Sequence, residues 1–261
     1  MTTIWLVSVG LRGSGDAGAL ERGSGRRGAV QAIRTGDLAS LRRQLTERPG
    51  LASDRIVDAE GTSRTPLHVV TDWPGYWPNG PEVVQLLVEA GADLDAVVDG
   101  GSSPETPLHW AASSDDVEVA AALIDAGANI EAPGASIAGG GPIDDAVGYG
   151  FWHVARLLVA RGARVDSLWQ AAALGQTDRV EQLLDGAQQD ELDEALWQAC
   201  HGGQRRTAEY LLGKGANIDA VTGYSSESAL DIAASLGTRR DMMITWLREL
   251  GATSTRELPP G

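Results

Sequence analysis

The sequence predicts an all-α solenoid, built from helix-turn-helix units joined by short β-hairpin or loop fingers. Three observations predict it. Apolar residues recur at helical spacing in paired short runs, as in Leu108 to Ala112 followed by Val117 to Ile124. A Gly-Ala-Asp/Asn triplet closes several of these pairs, at Gly91-Ala92-Asp93, Gly127-Ala128-Asn129 and Gly215-Ala216-Asn217. The pairs return along the chain, and self-similarity of this length marks units that bury apolar faces against their neighbours rather than around one centre.

The clearest unit runs from Thr106 to Ile130, and each residue type in it has a physical reason. Thr106 can cap a helix, and Pro107 then takes the first helical position, where its missing N–H costs nothing and its fixed φ suits the turn. Leu108 opens the apolar face. The polar break Ser113-Ser114-Asp115-Asp116 separates the helices, with its acids at the start of the second, where the helix dipole favours negative charge. Gly127 stands where that helix must stop, since a left-handed residue there satisfies the last carbonyls without a Cβ penalty. Thr106-Pro107-Leu108-His109-Trp110-Ala111 with Val117 to Asn129 resembles the ankyrin repeat, in a degenerate, bacterial-type form. The resemblance implies a module that binds other proteins through its fingers and the concave face of its first helices. It also implies that His68 and His109 are structural, hydrogen-bonding within and between repeats.

Residues 1–27 open with Ile4-Trp5-Leu6-Val7 and continue Gly/Ser/Arg-rich. The apolar run lacks a basic flank and is too short for a signal-peptide core or a bilayer span, so this stretch is expected to be a disordered leader. Repeats occupy 28–254, about seven units with their caps. In 29–52, Val30, Ile33, Leu38, Leu41 and Leu45 fit two amphipathic helices, with Arg34, Arg42, Arg43 and Arg48 on the wet side that a terminal repeat needs. The next unit carries Thr65-Pro66-Leu67-His68 and is 26 positions from Thr65 to Gly91, against 21 from Thr106 to Gly127. The extra residues fall in Asp72 to Pro81, whose three prolines and two glycines exclude continuous helix.

After the Thr106 unit, Gly141-Pro142-Ile143-Asp144 places Asp144 at the motif histidine, and Asp144-Asp145 both read as acids at a helix start. The fourth unit is compressed, passing from Val165-Asp166-Ser167 straight into Leu168-Trp169-Gln170 without room for a hairpin. The fifth, with Leu196-Trp197-Gln198, is nearly as short at its start. Trp169 and Trp197 read as occupants of the motif histidine position, which suggests altered stacking. The last unit carries Ala229 to Ala234 and a second helix with Met242, Met243 and Trp246; residues 255–261 are expected to fray.

The net charge is −15, with nine arginines against five acids in residues 1–55 and −19 over the remainder. Such a body repels nucleic acid and anionic membrane and favours a basic partner, although solubility alone accounts for acidity of this size. A single cysteine, Cys200, cannot form an internal disulfide, so a reducing, cytoplasmic setting is the default expectation; the chain is separately expected to be a monomer.

Candidate chemistry is sparse. No Cys/His spacing resembles a zinc site, and no cofactor is expected. Cys200 and His201 are adjacent on a helix, about 100° apart, and so do not form a nucleophile–base pair. His153 starts a second helix, where polar residues are common. Gly139-Gly140-Gly141 precedes a helix start that could in principle hold an anion, but it reads as linker, which needs no such role. Paired catalytic carboxylates need an enclosing pocket, which an open solenoid face rarely supplies.

A partner-binding surface is more legible. The resemblance points to the positions after the paired small residues of each first helix, and with the Trp-rich insert these give Asp72, Trp73, Tyr76, Trp77, Ser114, Tyr149, Leu174, His201 and Leu236. Aromatic anchors ringed by acids suit a hot-spot interface. The insert reads equally as a lid folded over the leading repeat or as part of that surface, while Trp110 and Trp152 read as packing between repeats. The function expected is protein binding without catalysis; an enzyme or its regulatory subunit, and a structural spacer, are the alternatives.

Overall fold

The computed structural model describes residues 24–58, 61–235 and 241–257. Consecutive helices there form seven pairs: α1 (Ser24–Thr35) with α2 (Leu38–Glu47), α3 (Pro66–Thr71) with α4 (Gly80–Glu89), α5 (Pro107–Ala112) with α6 (Val117–Asp125), α7 (Pro142–Gly148) with α8 (Trp152–Ala160), α9 (Leu168–Ala173) with α10 (Thr177–Leu183), α11 (Gln189–Gly202) with α12 (Arg205–Gly213), and α13 (Ala229–Ala233) with α14 (Asp241–Glu249). Helix α1 begins at Ser24, four residues before the boundary expected at Gly28; the rest of the expected leader lies outside the described residues.

The chain divides into two compact units that meet in sequence at Ala163 and Arg164, within the compressed stretch. In the first, α1, α3, α5 and α7 stack in one row and α2, α4, α6 and α8 in a second. Leu67, Leu87, Leu108, Leu123 and Leu158 are fully buried between the rows. In the second, α9, α11 and α13 form a row, α10 packs on α12, and Leu196, Leu211 and Leu247 are buried.

The same capping device starts most first helices. Thr65 N–H donates to His68 Nδ1 at 3.2 Å and Thr106 N–H to His109 Nδ1 at 3.1 Å. A backbone N–H only donates, so both Nδ1 atoms accept, and Nε2 carries the ring proton. Nε2 then donates into the following repeat, to the carbonyl of Glu105 at 3.1 Å from His68 and to that of Gly140 at 3.4 Å from His109. Asp144 substitutes for the histidine by accepting from Gly141 N–H at 2.8 Å.

The compressed repeats correct the register expected for their tryptophans. Gln170, not Trp169, does the histidine's work, its Oε1 accepting from the N–H groups of Asp166 and Ser167 at 3.1 Å each. An amide oxygen three residues into the helix reaches the same N–H that an imidazole nitrogen does, so Trp169 and Trp197 fall one position earlier, with the motif leucine. In α11 the helix extends back to Gln189, so Gln198 does not cap and instead donates to Tyr224 Oη at 3.1 Å, in the next repeat. Asp145 is likewise not at the helix start in function; it turns inward, with no exposed surface.

Second helices end as expected. Gly127 has φ +102°, and Ala128 N–H reaches back to the Leu123 carbonyl at 3.0 Å. The fingers are short: β1 (Ile56–Val57) pairs antiparallel with β2 (Ser63–Arg64), Ile56 opposite Arg64, and Ser63 bridges on to Asp99. Side chains link successive loops as well, with Asn129 N–H donating to Asp95 at 2.9 Å and Thr253 N–H to Asp219 at 2.7 Å. The tail begins tied down, because Thr255 N–H donates to Asp231 at 2.8 Å; residues 258–261 lie outside the described residues.

Candidate protein-interaction surface

The insert between α3 and α4 divides its rings between two tasks. Trp77 is half-buried; its indole N–H donates to the Asp72 carbonyl at 3.3 Å, and the Arg34 guanidinium lies 5.8 Å from its ring. Asn79 donates to the Gly36 carbonyl at 2.9 Å, so this half folds back over the leading repeat as a lid. Arg34 also reaches the Asp72 carboxylate at 3.4 Å and is therefore not simply a solvated cation. The other half leans on the following repeat, where Tyr76 N–H donates to Asp116 at 2.7 Å and its hydroxyl to the Asp115 carbonyl. Trp73 and Tyr76 remain 55% and 61% exposed. Burial and the nearby Asp115, Asp116 and Glu118 raise the Tyr76 pKa.

Two concavities flank the insert. One, of about 370 Å³, is lined by Tyr76, Trp77, three carboxylates (Glu82, Asp116, Glu118) and neighbouring prolines. The other, of about 80 Å³, lies along the first-helix row and brings together Asp72, Trp73, Ser114 and Tyr149 from the expected stripe. It adds Glu105 and Trp110, which sequence reasoning did not place there. Trp110 is buried, edge-on to His68 at 5.1 Å, and donates its indole N–H to Glu105 at 3.2 Å. Asp72 is held between Arg34 and Arg64, each at 3.4 Å.

Behind this second concavity lies Asp145. Its Oδ1 accepts from Ser136 Oγ at 2.9 Å and Ile137 N–H at 3.0 Å, while its buried Oδ2 has no hydrogen-bond partner. Burial, then the charge of Glu105, pushes its carboxyl pKa up to about 8. A sequence signal existed: Asp145 occupies the position that holds Trp110 one repeat earlier, where an apolar residue is the rule.

The other expected residues fall in the second unit. Leu174 is half-buried, and His201 is buried with its ring 5.2 Å from Trp197, because it sits at the small-residue position of its helix and not after it. Leu236 lies outside the described residues. Cys200 is fully buried, and burial pushes its thiol up to about 12, so it stays protonated. His153 is exposed and pairs with Asp115 at 2.7 Å across the α8 N-terminus. The Gly139–Gly141 segment offers its last N–H to Asp144, so a carboxylate of the chain already fills the expected anion position. Among the described residues, no cluster of His, Cys, Asp or Glu is placed to hold a metal, and no helix is long and apolar enough to cross a membrane.

Stacked helix pairs, most first helices capped by a Thr/Ser–His/Gln/Asp device, define a helical repeat architecture. The chain belongs to the ankyrin-repeat family: the profile for ankyrin repeats (3 copies) matches residues 29–134 and 77–167, and that for the single ankyrin repeat matches 192–223. Among solved structures, the human ASB11 ankyrin repeat domain is 23% identical, with a TM-score of 0.50 over 89% of this chain and 99% of that one. The ankyrin repeat domain of Bcl-3, described as a unique member of the IkappaB protein family, is 24% identical, with a TM-score of 0.47 over 85% and 97%. No curated protein sequence matches the chain. Ankyrin repeats are protein–protein interaction modules.

Proposed function

We propose that this protein is a non-enzymatic scaffold, a cytoplasmic monomer, that binds a basic protein partner on the concave and finger surface of its first unit. The observation that carries this reading is the exposure of Trp73 and Tyr76 beside the carboxylates Asp115, Asp116 and Glu118. Large rings left in water on a hydrogen-bonded loop supply desolvation energy to whatever covers them. Residues 56–163 hold three arginines (64, 156, 161) against sixteen acids, a net −13, which attracts a cationic surface. The buried, protonated Cys200 supports a role without thiol chemistry.

The reading is tested by capture from cell extract, comparing wild type with a Trp73→Ser/Tyr76→Ser variant whose helicity matches by circular dichroism. A partner held by wild type, weakened by added salt and lost from the variant is expected. Retention of the same partner by both proteins, unchanged by salt, overturns it.

A further inference from the structure

The larger concavity joins aromatic walls to negative charge that its own lining does not compensate. It lies where the insert meets the starts of α4 and α6, both second helices, and so on a different face from the row of first helices. Its volume of about 370 Å³ falls at the lower end of the ~300–1,000 Å³ of ligand sites. The rings of Tyr76 and Trp77 line it with Pro78 and Pro81, and Tyr76 is 61% exposed. These walls are set before anything binds: Tyr76 N–H donates to Asp116 at 2.7 Å, Asn79 to the Gly36 carbonyl at 2.9 Å, and Gly80 N–H to the Trp77 carbonyl at 3.1 Å. A partner therefore meets rings that need little further ordering.

Charge decides what fits between them. Glu82, Asp116 and Glu118 line the groove, and no arginine, lysine or histidine does. Asp116 is already engaged, its Oδ1 accepting from Val119 N–H at 3.1 Å and its Oδ2 from Tyr76 N–H. Glu82 and Glu118 are exposed, and among the described residues neither side chain has an ion-pair partner. Arg34 reaches the Trp77 ring, but it is paired with Asp72 and lies outside the lining. The starts of α4 and α6 offset about half an elementary charge each, so a negative remainder survives. The smaller concavity differs, because there Arg34 and Arg64 hold Asp72.

We propose that this groove receives an arginine of a basic segment of the partner protein, its guanidinium paired with Glu82 or Glu118 and its flat face on the Tyr76 ring. The proposal rests on the reading of a basic partner and adds to it a contact on the second-helix side of the insert. Arginine is favoured over lysine because a planar, weakly hydrated guanidinium stacks on an aromatic face and meets a carboxylate with two parallel donors. An exposed carboxylate alone holds a cation weakly, so the ring and the acids are both needed. Since Trp73 lines the smaller concavity and Tyr76 the larger, a segment crossing the insert touches one ring on each side.

The probes are the peptide acetyl-Gly-Arg-Gly-Arg-Gly-amide and its lysine and citrulline counterparts, titrated into the full chain while the Trp77 indole resonance is followed. The arginine peptide is expected to bind at least fivefold more tightly than the citrulline peptide, more tightly than the lysine peptide, and less tightly as salt is added. Glu82→Gln/Glu118→Gln breaks no hydrogen bond of the fold and should remove the preference for arginine over citrulline. Asp178→Asn/Glu181→Gln, on exposed acids of α10, changes the net charge by the same amount and should leave that preference in place. Tyr76→Phe should keep most of the affinity and Tyr76→Ser should lose it. Equal affinity for arginine and citrulline peptides, equal losses from the two charge variants, or undiminished binding by Tyr76→Ser overturns the proposal. If an extract partner is captured equally by wild type and Glu82→Gln/Glu118→Gln, the groove is refuted while the broader surface stands. If the peptides bind as described and no protein is captured, the broader reading fails and the groove stands.

Discussion

His68 Nε2 and the carbonyl oxygen of Glu105 are 3.1 Å apart, and this one bond ties the first helix of one repeat to the chain leading into the next. The same ring accepts from Thr65 N–H, so a single imidazole closes a helix cap and a repeat junction together. His68→Ala removes both and leaves a void at a position with no exposed surface. The expected loss is about 3 kcal/mol in urea unfolding, from two buried hydrogen bonds and the cavity. His68→Gln is expected to recover the cap and part of that loss, as Gln170 does naturally.

Acid should weaken the first unit through His109. Burial lowers its pKa from 6.5 to about 4. The unfolded chain takes up a proton that the folded chain refuses, so its contribution is whole above pH 6.5 and is lost as pH falls toward 4. The loss approaches about 3 kcal/mol at 1.36 kcal/mol per unit. Urea midpoints at pH 7 and pH 5 should show a smaller difference for His109→Gln than for wild type.

Asp145 works in the opposite sense. Its carboxyl is raised from 3.8 to about 8, so the folded chain keeps a proton that the unfolded chain releases. Its contribution is therefore greatest at low pH and is lost as pH rises from 3.8 to 8. Asp145→Asn keeps the acceptor for Ser136 and Ile137 and removes the ionisation. It should be more stable than wild type by about 2 kcal/mol at pH 7, after the cost of one unsatisfied amide N–H, with the gain shrinking toward pH 5.

These residues also mark how far the sequence could be read. Thr-Pro-Leu-His and Gly-Ala-Asn were legible because capping and left-handed turns are local, fixed by residues three or four apart. The slip at Trp169 arose because glutamine and histidine can fill one hydrogen-bonding role, and pattern alone favoured the bulkier neighbour. Asp145 read as a helix-start acid since its environment is supplied by Ser136 and Ile137, on a linker whose path composition does not dictate. The insert was legible as non-helical, but its division between lid and exposed surface depends on Gly36, Asp115 and Asp116, which are distant in sequence.

The lid half of the insert should be testable through a pair of glycines. Both Gly36 and Gly127 have positive φ, +64° and +102°, so alanine costs about 1 kcal/mol at either from backbone strain alone. At Gly127 an added Cβ meets nothing within 4 Å, and the cost should stop there. At Gly36 the Cβ lies 2.3 Å from the Pro78 carbonyl oxygen, in the stretch whose Asn79 donates to the Gly36 carbonyl. Backbone against backbone leaves no flexible side chain to yield, so Gly36→Ala must displace the insert from the leading repeat. Unfolding should show a loss at Gly36 more than twice that at Gly127, with faster amide exchange at Trp77 to Gly80 in the first variant only. Equal losses and unchanged exchange would mean that the insert is not held by this contact, and that Trp77 covers Arg34 by other means.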